Sequence, residues 1–90
     1  MELIVEIEKS FPLLEKLFTY DTLFEFVQTP DSRLCLYHFG LGTWIRNNLL
    51  MEQCLLYQLF VENGICIKDD MSSLIIQRFH RYLKNGIASG

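Results

Sequence analysis

Apolar side chains that recur three and four positions apart constrain this chain most, because that spacing gathers them on one face of an α-helix. The clearest stripe lies near the carboxyl end and consists of Met71, Leu74, Ile75, Phe79, Tyr82 and Leu83. Another consists of Leu55, Leu56, Leu59 and Phe60. The alternation typical of a strand competes with helical spacing only in residues 1–9. We favour a helix there, because no second strand pattern exists to pair with it.

Capping and breaking residues divide the first half of the chain. Pro12 suits the first turn of a helix, where its missing N–H costs nothing. Thr22 with Glu25 matches a capping box, which predicts that a short helix begins near Thr22. Thr29-Pro30-Asp31 combines a capping hydroxyl, a first-turn proline and an acidic side chain, and it predicts a helix from about residue 30 to residue 47.

Similar signals place two helices in the second half. The first is predicted from Glu52 to Asn63, with Gly64 as the left-handed residue that ends it. The last is predicted to begin at Lys68–Ser73, where two aspartates lie at the positive end of the helix dipole. Asn85-Gly86 is expected to end that helix and to leave residues 87–90 as a frayed tail.

These patterns predict a single all-α domain over residues 1–90, a compact bundle of four or five helices joined by short loops. Half of the 90 residues are hydrophobic, and a domain of this size cannot bury all of them. The apolar side chains left at the surface favour a protein partner or self-association.

Charge and cysteine content argue against several functional classes. A net charge of −3 argues against nucleic-acid binding, and the one basic cluster (Arg78, His80, Arg81, Lys84) fits cations that complement a helix carboxyl end. No apolar run approaches the ~20 residues of a membrane span. Glu2 and Glu6 occupy the positions where a secretory signal peptide needs cations, which argues against a signal peptide. Three cysteines without a Cys-x-x-Cys motif indicate reduced thiols in a cytoplasmic protein.

The segment from Tyr37 to Asn48 holds the only tryptophan and two of the five glycines. Gly40 and Gly42 would each cost about 1 kcal/mol relative to alanine inside a helix, so a compensating interaction is expected. Close packing is the favoured explanation, with the Trp44 ring lying over Gly40. A main chain exposed to a ligand is the alternative. A dinucleotide-binding motif is excluded, because the third glycine and the preceding strand are missing.

The same segment carries a resemblance to a known family. The motifs are His38-Phe39-Gly40-Leu41-Gly42-x-Trp44-Ile45-Arg46-Asn47-Asn48, Asn63-Gly64-Ile65, Asp69-Asp70-Met71-Ser72-Ser73-x-Ile75-Ile76 and His80-Arg81-Tyr82-Leu83. Their order and spacing resemble a bacterial domain family of unknown function, from about Tyr37 to Asn85. The resemblance implies a small helical domain of a bacterium or its mobile elements, and it implies no activity. The chain departs from the family at Lys68, usually proline, and at Leu49-Leu50-Met51, usually a Trp-Gly-Leu-Trp-like segment, so a ligand shared at that loop is in doubt.

Arg46 and the acidic pair at the start of the last helix form the main candidate site. An arginine ending one helix can meet carboxylates that begin another in a bidentate bond. A structural clamp is the favoured interpretation. The alternative is a ligand site whose candidate binding residues are His38, Trp44, Arg46, Asn47, Asn48, Asp69 and Asp70.

No catalytic residue, metal or cofactor is assigned from the sequence. The residues that could in principle hold zinc are Cys35, His38, Cys54, Cys66 and His80. They lack the short paired spacing usual in structural zinc sites, so a metal centre is not expected.

Three classes of function remain. A small cytoplasmic protein-binding or regulatory module, such as an immunity protein or an inhibitor, best fits the small size, the acidity and the apolar content. A ligand-binding or enzymatic domain would use a cluster of His38, Arg46, Asn47, Asp69 and Asp70. A structural homo-oligomer is the third class.

Overall fold

A computed structural model describes residues 2–89, with side chains described for residues 2–86, and every regular element in this range is helical. The α-helices are α1 (Glu2–Lys9), α2 (Phe11–Glu15), α3 (Tyr20–Gln28), α4 (Leu41–Asn48), α5 (Leu55–Glu62) and α6 (Lys68–Ser89). A 3₁₀ helix (Asp31–Tyr37) lies between α3 and α4. The all-α prediction is confirmed. The count of four or five helices is wrong, because the short helices at the amino end remain separate and make six.

The amino-terminal helices follow the predicted types but not all of the predicted caps. Residues 2–9 form a helix, and Pro12 lies in the first turn of α2. The capping box of α3 lies one turn earlier than predicted. The Thr22 amide donates to Thr19 Oγ1 at 3.2 Å, and the Thr19 amide donates to Thr22 Oγ1 at 2.8 Å. The threonine hydroxyl thus fills the role that the sequence assigned to Glu25.

The continuous helix predicted from residue 30 to residue 47 is wrong. Residues 31–37 wind as a 3₁₀ helix, residues 38–40 form a turn, and α4 begins only after Gly40. In a 3₁₀ helix, side chains three positions apart lie above one another. This geometry places buried Leu34 and partly buried Tyr37 on the same side, against the core.

Two of the four helix boundaries predicted in the second half of the chain match the structure. Helix α5 begins at Leu55 and not at Glu52, because Cys54 precedes it as an N-cap with an extended backbone. Helix α5 ends at Glu62, and Gly64 takes the left-handed conformation with φ +85°. Helix α6 begins at Lys68 as predicted. The predicted end at Asn85-Gly86 is wrong, because Gly86 does not adopt a positive φ and the helix continues to Ser89. Gly90 of the predicted frayed tail lies outside the described residues.

Helix α6 is the central element of the fold. It packs against α4, the 3₁₀ helix and α3, while α1 packs against α5. Leu41, Ile75 and Phe79 are buried together as predicted, whereas Trp44 is only partly buried against this core. No helix within residues 2–89 combines the length and apolar character that crossing a membrane requires.

Candidate functional site

The Arg46 side chain lies between the end of α4 and the first turn of α6. Nη1 donates to Ser72 Oγ at 3.0 Å, and Nη2 donates to Thr43 Oγ1 at 3.0 Å and to the His38 carbonyl at 3.3 Å. Nε lies 3.5 Å from Asp69 Oδ1. Each guanidinium nitrogen therefore has a partner, which is the arrangement that a desolvated arginine requires.

Ser72 joins this cluster to α6. Its hydroxyl donates to the Asp69 carbonyl at 3.0 Å while it accepts from Arg46, and its side chain is fully buried. The Arg46 side chain is 18% exposed and that of Asp69 is 63% exposed. Solvent weakens the charge pair at such an exposed carboxylate. We therefore expect the hydrogen bond to the buried Ser72 hydroxyl to stabilise the clamp more than the charge pair does.

Gly42, and not Gly40, is the glycine whose Cβ position is closely packed. A Cβ atom at Gly42 would lie 3.0 Å from Arg46 Nη1, whereas a Cβ atom at Gly40 would meet nothing within 4 Å. The interpretation that Gly40 makes room for the Trp44 ring is therefore wrong. Gly40 instead precedes the first residue of α4 as its N-cap. The bare backbone at Gly42 lets the guanidinium lie against the helix that carries it.

The structure brings only some of the predicted binding residues together. Arg46, Asp69 and the His38 main chain meet in the clamp. The His38 ring packs edge-on against Phe39 and lines one cavity, while Asp70 lines a different one. The remaining candidates lie outside the clamp. Asn48 Nδ2 donates to the Trp44 carbonyl at 2.9 Å, Asn47 is exposed, and the Trp44 side chain packs on the core.

His80 is a residue whose position the sequence interpretation missed. Its side chain is 1% exposed, and its ring packs edge-on against Phe26 at 5.2 Å. Nδ1 lies 3.4 Å from Asp31 Oδ1, and Nε2 is buried with no hydrogen-bond partner among the described residues. His80 is therefore not one of the surface cations at the end of α6. It lies beneath the 3₁₀ helix, in contact with the exposed Asp31 carboxylate.

A signal for both buried polar residues was present in the sequence. The buried positions of α6 are Met71, Ser72, Ile75, Ile76, Phe79, His80 and Leu83. Each has another member of the set three or four positions away, so Ser72 and His80 are polar members of an apolar stripe. Polar side chains at such positions need a partner inside the protein.

Two concave surfaces border the carboxyl-terminal half of α6. The first, here named the apolar groove, has a volume of about 430 Å³ and is lined by Glu15, Tyr20, Leu23, Phe24, Tyr82, Leu83 and Gly86. It continues past Tyr82 and Gly86 into a depression that Glu8, Arg78 and Arg81 also line. The second, here named the polar cavity, has a volume of about 480 Å³ and is lined by Asp31, Leu34, Gln77, His80, Arg81, Lys84 and Asn85.

The described residues contain no group of three or more histidine, cysteine or acidic side chains arranged to hold a metal ion. Cys35, Cys54 and Cys66 are all free thiols.

Comparison with known proteins places the chain in a family. No curated protein and no solved structure matches it. A family model does match residues 5–83, which is most of the chain, and its description is Domain of unknown function (DUF6794). The chain therefore belongs to this family of unknown function.

Proposed function

We propose that this domain is a protein-interaction module that binds an amphipathic segment of another protein in the apolar groove. The observation that carries the proposal is the exposure of three aromatic rings around one concavity. Tyr20 is 84% exposed, and about half of Phe24 and of Tyr82 is exposed. Tyr20 and Phe24 lie one turn apart on α3, so they present their rings to the same side.

The chemistry of the groove suits a protein partner. Large, rigid aromatic side chains lose little conformational entropy on binding, and they supply most of the energy at many interfaces. The floor is apolar, and its carboxylate, Glu15, is only partly buried. A segment that inserts apolar side chains would therefore remove a large apolar surface from water at little electrostatic cost.

The charged side chains next to the groove indicate the charge that the partner segment should carry. Arg78 and Arg81 line its continuation past Tyr82, and neither makes an ion pair within the described part of the chain. Glu8 is the only carboxylate in that depression. The depression is therefore positive on a chain with net charge −3, and acidic residues that follow the apolar anchors into it would complement it. A small regulator, immunity protein or inhibitor of a bacterial cytoplasm would use such a surface.

Photo-crosslinking in cells that naturally produce the chain tests this proposal. A crosslinking amino acid replaces Phe24, and a matched variant carries it at exposed Gln53, outside the groove. We expect a discrete adduct with one other protein from position 24, joined through an apolar segment with acidic neighbours. Adding Tyr82→Asp should abolish that adduct. Adducts with a second copy of this chain alone, and with no other protein, would overturn the proposal in favour of a homo-oligomer. Identical patterns from both positions would also overturn it.

A further inference from the structure

The polar cavity between the 3₁₀ helix and α6 is lined by charges of both signs that do not neutralise each other. Asp31 lies on one side, on the 3₁₀ helix, and Arg81 and Lys84 lie on the other, on α6. Neither cation comes within 4.0 Å of the Asp31 carboxylate, and the basic side chain that does is buried His80, whose Nδ1 lies 3.4 Å from Oδ1. The cavity thus keeps a carboxylate and two cations apart across about 480 Å³.

The buried His80 ring lies beneath Asp31 at the cavity. The His80 side chain is 1% exposed, whereas that of Asp31 is 81% exposed. Nδ1 of the buried ring lies 3.4 Å from Asp31 Oδ1. Nε2, on the other side of the ring, is buried with no hydrogen-bond partner among the described residues. A buried polar atom without a partner has a desolvation cost. The Asp31 carboxylate at the cavity thus lies directly against a buried polar ring.

We propose that the polar cavity is a binding site for a small zwitterion, a molecule with an ammonium group and a carboxylate separated by a short apolar chain. The ammonium group pairs with Asp31, and the carboxylate pairs with Lys84 and Arg81. The apolar chain between them lies over Leu34, which is buried in the core at the cavity wall. A volume of this size is within the range of small-molecule sites. A ligand with a single charge would pair either with Asp31 or with the two cations, and it would leave the opposite wall of the cavity without a partner.

Titration of the ¹⁵N-labelled full chain, followed by NMR, tests this site with defined probes. The probes are glycine, 4-aminobutyrate and 6-aminohexanoate, with butyrate and butylammonium as single-charge controls. We expect saturable shifts confined to residues 31–38 and 77–85, with one probe length preferred. Each single-charge control should bind at least tenfold more weakly than that probe. Shifts that fail to saturate, or that are equal for zwitterions and single-charge compounds, would overturn the proposal.

Two variants and one control locate the binding. Lys84→Gln and Asp31→Asn should each weaken the preferred probe at least tenfold, whereas Arg33→Gln, on the same 3₁₀ helix but outside the cavity, should leave it unchanged. Thermal unfolding of Asp31→Asn shows whether its contact with His80 is needed for folding. If that variant unfolds, Lys84→Gln decides alone, because Lys84 is exposed and makes no ion pair within the described residues. Unchanged affinity in Lys84→Gln would refute the site.

Discussion

At the scale of single residues, the space above Gly42 determines where Arg46 can lie. Alanine at this position would place its Cβ atom 3.0 Å from Arg46 Nη1, which is itself bonded to Ser72. We expect Gly42→Ala to lower the free energy of unfolding by ~1–3 kcal/mol, the usual cost of overpacking. In an Arg46→Ala background the crowded atom is gone. The same substitution should then be neutral or stabilising by up to about 1 kcal/mol, as expected from helix propensity.

Chemical denaturation of the wild type, Gly42→Ala, Arg46→Ala and the double variant measures whether the effect of Gly42→Ala on the free energy of unfolding changes sign. Gly40→Ala is the matched control, because its Cβ atom would meet nothing within 4 Å, and its effect should stay within ~0.5 kcal/mol. If Gly42→Ala were equally destabilising with and without Arg46, the guanidinium would not be what the glycine accommodates.

Also at the residue scale, the two α6 partners of Arg46 should differ in strength. The Ser72 hydroxyl is fully buried, and a hydrogen bond to a charged group is typically worth ~1.5–3 kcal/mol. The Asp69 side chain is 63% exposed, and exposed ion pairs are worth only ~0–1 kcal/mol. Double-mutant cycles should therefore give a larger coupling energy for Arg46→Ala with Ser72→Ala than for Arg46→Ala with Asp69→Asn. The reverse order would show that the charge pair dominates the clamp.

At the scale of secondary structure, two glycines near helix ends have opposite roles. Gly64 has φ +85° and ends α5, whereas Gly86 lies within α6 with open space around its Cβ position. An L-residue in the left-handed conformation costs roughly 1–2 kcal/mol. We expect Gly64→Ala to lower the thermal unfolding midpoint and Gly86→Ala to raise it slightly, through helix propensity. A lower midpoint in Gly86→Ala would indicate that α6 does not persist through this residue in solution.

At the scale of the whole molecule, the exposed apolar side chains of the groove should cause weak self-association of the isolated protein. Exposed aromatic surface of this kind is normally covered in a complex. We expect sedimentation velocity to detect oligomers well above micromolar concentration, and Tyr20→Ser with Phe24→Ser to remove them. Leu36→Ser, at an exposed leucine outside the groove, is the control and should leave association unchanged. A wild-type protein that stays monomeric throughout would contradict this prediction.

The sequence by itself determined the features that depend on a few neighbouring residues. The helical class follows from apolar spacing, the end of α5 from the conformational freedom of Gly64, and the start of α6 from its first-turn aspartates. Each of these is decided by main-chain geometry within about one helical turn. The contact of Arg46 with the first turn of α6 was also predicted, because both ends carry complementary charges.

Only the tertiary structure decided the features that depend on distant segments. Arg46 and Ser72 are 26 positions apart, and local pattern contains no information on which α6 side chain the guanidinium reaches. The 3₁₀ winding of residues 31–37 arises where the segment packs on α6, and that packing brings Asp31 to buried His80. The apolar groove likewise exists only where α3 lies beside α6. Side-chain burial depends on how the helices pack. Periodicity predicts which face of a helix is apolar, but it does not predict which other helix packs against that face.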